Sequence, residues 1–333
     1  MPAVDSTTLD WLIVGDPAIR WQVQRDLLAE NPAVYETERA KIASEGWGAR
    51  YLSYRDKEGI WGNGLYSPKW ISTHYTFWTL RFLGLPPGNS QARKACRVLL
   101  DEGFRPDHGV DFSGEGVRRR RTRGQPRRPV RARGETCITG MALALFSYFQ
   151  TEDERVDLIA EHLLGQQMDD HGWNCQYPRG ASHASFNTTL LVLEGLREYR
   201  AFRPENKLPV PRALASGRPF LLRHQLYRSH RTGRIVSAHF TRTPSQPTWR
   251  YDFLRALDHF QAARAPRDRR LGDAINLLTK KRNKAGRWPQ HSVGSGRLFF
   301  EMESVRKPSR WNTLRALRVL KWWEGARGKS QLR

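Results

Sequence analysis

Three cysteines, Cys96, Cys137 and Cys175, are the side chains of this sequence best suited to soft-metal or nucleophilic chemistry. An odd number of cysteines in a chain of 333 residues does not describe a disulfide framework, which leaves free thiols or metal ligands. Cys96 sits among Val98, Leu99 and Leu100 and reads as core. Cys137 directly precedes an apolar run, Cys175 lies two residues past Trp173, and His183 follows in the same loop. Two cationic clusters have the chemistry to hold a phosphate, because the planar guanidinium fork pairs two oxygens at once. One is Arg228, His230 and Arg231 in the turn RSHRTG, and the other is Lys307 with Arg310. Pro308-Ser309 reads as a helix start, so an anion beside Arg310 would also meet unpaired backbone N–H groups.

The formal charge of +23 is partly local, since nine arginines and no acid lie between Arg118 and Arg133. That tract reads as an insertion, probing for an anion with Arg, Gly and Pro that bury no apolar surface. Charge of this size gives salt-dependent affinity for nucleic acid, although no RNA-recognition, helix-turn-helix or zinc-finger pattern accompanies it.

The elements that must position these groups are legible in a recurring signature. Gly59-Ile60-Trp61, His108-Gly109-Val110, Gly172-Trp173, Gly233-Arg234-Ile235 and Gly286-Arg287-Trp288 place a large apolar residue at 61, 110, 173, 235 and 288. After each comes a polar loop and an apolar run at helical spacing, for example Leu190, Leu193 and Leu196, or Leu314, Leu317 and Leu320. Each unit therefore reads as helix, turn with an aromatic plug, loop, helix. The expectation is an all-α protein of one domain over 1–333, an α/α toroid of about five to six helical hairpins. Residues 1–50 form an N-terminal helical segment, and 118–133 interrupt one hairpin loop.

Residues 163–199 carry the clearest copy, with Gln167, Asp170, Gly172 and Trp173 ahead of a helix. This resembles the Gln-Trp repeat of the terpenoid cyclase and protein prenyltransferase superfamily. The whole chain is similar to the bacterial squalene cyclase-like or prenyltransferase-like proteins, through the segments CITGM, GWNC, RSHRTG and PSRWNTLRALRVL. The resemblance implies concentric helical barrels around an aromatic-lined cavity that takes an isoprenoid or similar apolar chain. Trp61, Trp173 and Trp288 read as packing plugs, whereas Trp78, Trp249 and Trp311 are the expected cavity lining. Protein prenyltransferases hold a catalytic zinc with an Asp, a Cys and a His. The nearest equivalents here are Cys137, Cys175 and His183, with Glu135 as a further oxygen donor. The cationic clusters would then face a diphosphate leaving group.

The Asp-x-Asp-Asp motif of squalene-type cyclases is absent, and Asp169-Asp170 lies in a repeat turn, so protonation-initiated cyclisation is not expected. A carbohydrate-active toroid would have to use Asp252, Glu301 and Glu303. The last two point the same way on an extended segment, whereas a glycosidase needs carboxyls on opposite sides of the bond. No apolar stretch approaches the roughly 18–20 residues that span a bilayer, and Met1 to Asp10 carries no basic leader, so the sequence reads as cytoplasmic.

Overall fold

The computed structural model describes residues 6–112, 133–292 and 294–325. The arginine tract, except Arg133, lies outside the described residues. The described chain is mostly helical. It begins with α1 (Ser6–Ile13), α2 (Pro17–Gln22), a wide π-type turn at Val23–Leu28 and α3 (Pro32–Ala40). Five helical pairs follow: α4 (Gly46–Ser53) with α5 (Thr73–Leu83), α6 (Ser90–Gly103) with α7 (Thr136–Tyr148), α8 (Arg155–Gly165) with α9 (Phe186–Phe202), α10 (Val210–Arg223) with α11 (Phe253–Ala262), and α12 (Gly272–Lys280) with α13 (Arg310–Glu324). One two-residue antiparallel ribbon pairs β1 (Trp288–Pro289) with β2 (Pro308–Ser309). None of the described helices is long and apolar enough to cross a membrane.

The second helix of each pair is the buried one. Every residue of α7 from Thr136 to Ser147 is buried, as its nearly all-apolar or small sequence dictates. The first helices are amphipathic: α6 buries Ala92, Ala95, Cys96, Leu99 and Leu100 and exposes its charges. Neighbours run α5, α7, α9, α11, α13, and α13 packs on α2 and the Val23–Leu28 turn. Those N-terminal elements reach α5, where the Trp21 indole N–H donates to the Leu83 carbonyl at 2.8 Å. The closest pair is α7 and α9, which run parallel because each returns through an intervening surface helix. Glycines make that approach possible: a Cβ on Gly195 would lie 2.4 Å from the Gly140 carbonyl oxygen.

The turn tryptophans are held by one repeated pair of bonds. Trp173 donates its backbone N–H to the Thr189 hydroxyl at 3.0 Å and its indole N–H to the Leu163 carbonyl at 2.7 Å. Trp61 makes the same two bonds, to Thr73 and Tyr51, and so does Trp288, to Thr313 and Leu278. Val110 keeps the backbone half through Thr139 at 2.9 Å. In the fourth pair both partners are lost together. Ile235 is 49% exposed, and Phe253 stands where α13 has Thr313, judged by the shared Leu-Arg-Ala-Leu that follows each. The threonine at the start of the following helix thus fixes the plug by satisfying its backbone, which burial would otherwise penalise. Gln167 works as the repeat logic requires, donating its amide to the His171 carbonyl at 2.7 Å and to Ser216 of α10 at 2.9 Å.

Candidate metal centre

Glu135 is the residue on which α7 starts, and Cys137 is the second residue of that helix. Cys175 sits in the turn before α9, two residues past the buried Trp173, with its backbone N–H on the Thr188 hydroxyl at 3.3 Å. The tight parallel packing of α7 and α9 therefore brings equivalent ends of consecutive repeats together. One ligand atom each from Glu135, Cys137 and Cys175 lies within 4.8 Å of the others, so the three form a group able to hold a metal ion. Cys137 is 9% exposed and donates its S–H to Glu135 Oε1 at 3.1 Å, while Cys175 is half-buried.

The two thiols are driven apart in acidity. Hydrogen bonding to the Cys175 sulfur, reinforced by burial and by the Glu135 carboxylate, holds the Cys137 proton on and raises its pKa well above the ordinary thiol value. That same bond favours the thiolate of Cys175, which is lowered to about 6 against the opposing effect of partial burial. Beside them Tyr75 donates to the Tyr66 hydroxyl at 2.9 Å. Burial keeps both phenols protonated. His74 packs edge-on to both rings, and burial holds it neutral with its pKa lowered to about 3.

His183 does not join the group. Its carbonyl accepts from the Asn174 amide at 2.7 Å, its side chain is exposed, and the carboxylate of Glu135 takes the third place instead. The fused turn and loop carry His183 outward, whereas Glu135 is anchored by its backbone N–H on the Val110 carbonyl at 3.0 Å.

In each cationic cluster one of the protein's own acids takes part of the expected anion's place. Arg228 pairs with Asp273 at 2.6 Å, and His230 meets His224 at 3.3 Å, while Arg231 projects into solvent. At the start of α13 the anion expected beside Arg310 is present as a side chain: Glu303 accepts from the backbone N–H of Arg310 at 2.6 Å and of Trp311 at 3.3 Å, and from the Ser309 hydroxyl. Arg310 itself turns to the Trp11 carbonyl at 2.8 Å, and Lys307 is exposed. This gives Glu303 a capping role and removes it from any glycosidase pair.

The lining tryptophans meet charge. Trp78 is fully buried, with the guanidinium groups of Arg81 at 4.6 Å and Arg255 at 5.1 Å from its ring. Trp249 is half-buried, with Lys69 Nζ 5.2 Å from its ring. Trp311 borders a recess of about 10 Å³ that is also walled by Arg250, Asp252, Arg255 and Arg315, room for a single water. Around it the buried helices carry an ion network. Glu194 accepts from Arg255 at 2.7 and 2.9 Å, with Arg81 at 3.5 Å. Asp258 bridges Arg315 and Arg318. Sequence reasoning missed this network, although its signal was available: Arg255 and Arg315 occupy the same position of successive Leu-Arg-Ala-Leu segments. Compared with protein-family models and with curated proteins, the chain matches none of either.

Proposed function

We propose that the successive helical pairs close into an α/α toroid, and that Glu135, Cys137 and Cys175 form a zinc centre of a transferase at one rim. The toroid reading is supported by the order of helix neighbours and by the way α2 and the Val23–Leu28 turn bridge α13 and α5. The single observation that carries the functional reading is the convergence of two thiols and a carboxylate from consecutive repeats within 4.8 Å.

The donor set suits zinc. Tetrahedral zinc with bonds of about 2.3 Å to sulfur places two sulfurs about 3.8 Å apart, inside the observed limit, and three protein donors leave a fourth position for substrate. When bound, the ion would supply Lewis acidity to a substrate sulfur or oxygen in that position. Glu135, which accepts the Cys137 S–H in the metal-free chain, would relay that proton to solvent as metal binds, since every ligand must be deprotonated. Tyr66 and Tyr75 wall one side against water, and Lys69, held over the Tyr66 and Trp249 rings, offers a positive charge for an anionic leaving group.

An isoprenoid diphosphate is the substrate class this reading inherits from the repeat resemblance. The recess beside Trp311 is too small for such a chain as it stands, so binding requires the segment Pro244–Arg250, which borders it, to move. Mixing zinc-loaded protein with farnesyl diphosphate and a cysteine peptide tests this. A thioether product that disappears in a folded Cys175→Ala variant supports the reading, and no thioether from the wild type refutes prenyl transfer. The net charge supports a second reading, salt-dependent polyanion binding through residues 118–133. Removing that tract should then flatten the dependence of DNA and RNA affinity on salt.

A further inference from the structure

We propose that Cys137 and Cys175 are also a peroxide-reactive pair, closing reversibly to a disulfide within one chain. The proposal shares its two sulfurs with the zinc reading, and its test separates the two.

The pair has three features that a solitary buried thiol lacks. Its sulfurs are no more than 4.8 Å apart, so reaching a bond of about 2 Å takes a shift of no more than about 3 Å. The movable partner is available: Cys175 lies in a turn and is half-buried, whereas Cys137 is fixed in α7. A proton acceptor is in place, since Glu135 Oε1 lies 3.1 Å from the Cys137 sulfur. Cys96 is the internal contrast. It is fully buried between helices, 3.9 Å from the Leu145 carbonyl, and is not part of the Glu135–Cys137–Cys175 group.

The chemistry balances with a hydroperoxide as oxidant. The Cys175 sulfur attacks the terminal peroxide oxygen, the O–O bond breaks, and the thiol proton leaves with the departing oxygen as water or alcohol. Cys175 becomes a sulfenic acid. The Cys137 sulfur, its proton passed to Glu135, then attacks the Cys175 sulfur, the S–O bond breaks, and hydroxide departs with that proton as water. Two electrons move from the sulfur pair to the peroxide. A dithiol reductant reverses the change, and metal bound between the sulfurs should slow it and be released by it.

The test treats purified metal-free and zinc-loaded protein with hydrogen peroxide, then counts thiols after denaturation and maps them by mass spectrometry. The expected result is a fall from three thiols to one, with a Cys137–Cys175 crosslink within one chain, Cys96 reduced and full recovery with dithiothreitol. In Cys137→Ser, Cys175 should instead be trapped as a sulfenic acid by dimedone. Three remaining thiols, a crosslink between chains, or overoxidation of Cys175 without a crosslink would overturn the proposal. A crosslink in protein that binds no zinc would sink the metal reading alone, and zinc binding without a crosslink would sink this one alone.

Discussion

Replacing Glu194 by Gln should destabilise the fold strongly, because that carboxylate is the shared acceptor of two buried guanidinium groups. Arg255 reaches it through Nε at 2.9 Å and Nη2 at 2.7 Å, and Arg81 through Nη2 at 3.5 Å. The side chains of all three are 4% exposed or less, so water cannot screen what is lost. Gln keeps the shape but removes the charge, and it turns an N–H donor toward guanidinium donors. Breaking a buried pair on one side costs about 3–5 kcal/mol. Unfolding entropy of about 2.1 cal/mol/K per residue amounts to roughly 0.7 kcal/mol/K for a chain of this length, so the melting temperature should fall by about 4–7 °C. Thermal unfolding followed by circular dichroism measures it. Arg81 retains Glu198 at 2.8 Å, so the double variant Glu194→Met, Arg255→Met leaves no unpaired charge and should lose less than Glu194→Gln alone. A fall below about 1 °C for Glu194→Gln, or a double variant worse than the single by the full cost of a second buried charge, would refute the reasoning.

Three further outcomes follow from the geometry. His74 is buried with neither ring nitrogen hydrogen-bonded, and its folded pKa is lowered to about 3. Its contribution is therefore fully present above the unfolded value near 6.5 and is lost as the pH falls below it, at about 1.4 kcal/mol per pH unit. His74→Phe should remove that much of the slope of urea stability between pH 6 and 4, and an unchanged slope would contradict it. Gly195→Ala puts a Cβ 2.4 Å from the Gly140 oxygen and should cost about 1–3 kcal/mol by forcing α7 and α9 apart, whereas Gly165→Ala, with open space around it, should cost less in the same melt. Thr189→Val leaves the buried Trp173 N–H without its acceptor and should cost about 1–3 kcal/mol in chemical denaturation, with an effect below half of that counting against the plug-and-threonine account.

The five turns and the helix on each side of them were legible because Gly-aromatic spacing and apolar periodicity are local signals. The pairing of plug and threonine was not, since it joins residues 12 to 29 apart whose loops differ in length. Cys137, Cys175 and Glu135 were legible from the adjacency of repeat ends, and His183 was misplaced because spacing along a loop says nothing of the direction in which the loop leaves the helix. In the cationic turns Arg228 is balanced by Asp273, 45 residues later, and the backbone N–H groups beside Arg310 are taken by Glu303, seven residues earlier, partners that spacing along the sequence does not reveal. The interior tryptophans suggested an apolar cavity, yet their faces are covered by Arg81, Arg255 and Lys69, a pairing that composition cannot reveal.

Zinc content of the purified chain, measured by elemental analysis beside Cys137→Ala, Cys175→Ala and His183→Ala, tests the central claim most directly. The account predicts one zinc ion per chain in the wild type and in His183→Ala, and loss of zinc in both cysteine variants. Wild-type protein that takes up no zinc, or zinc that survives both cysteine replacements, would contradict it.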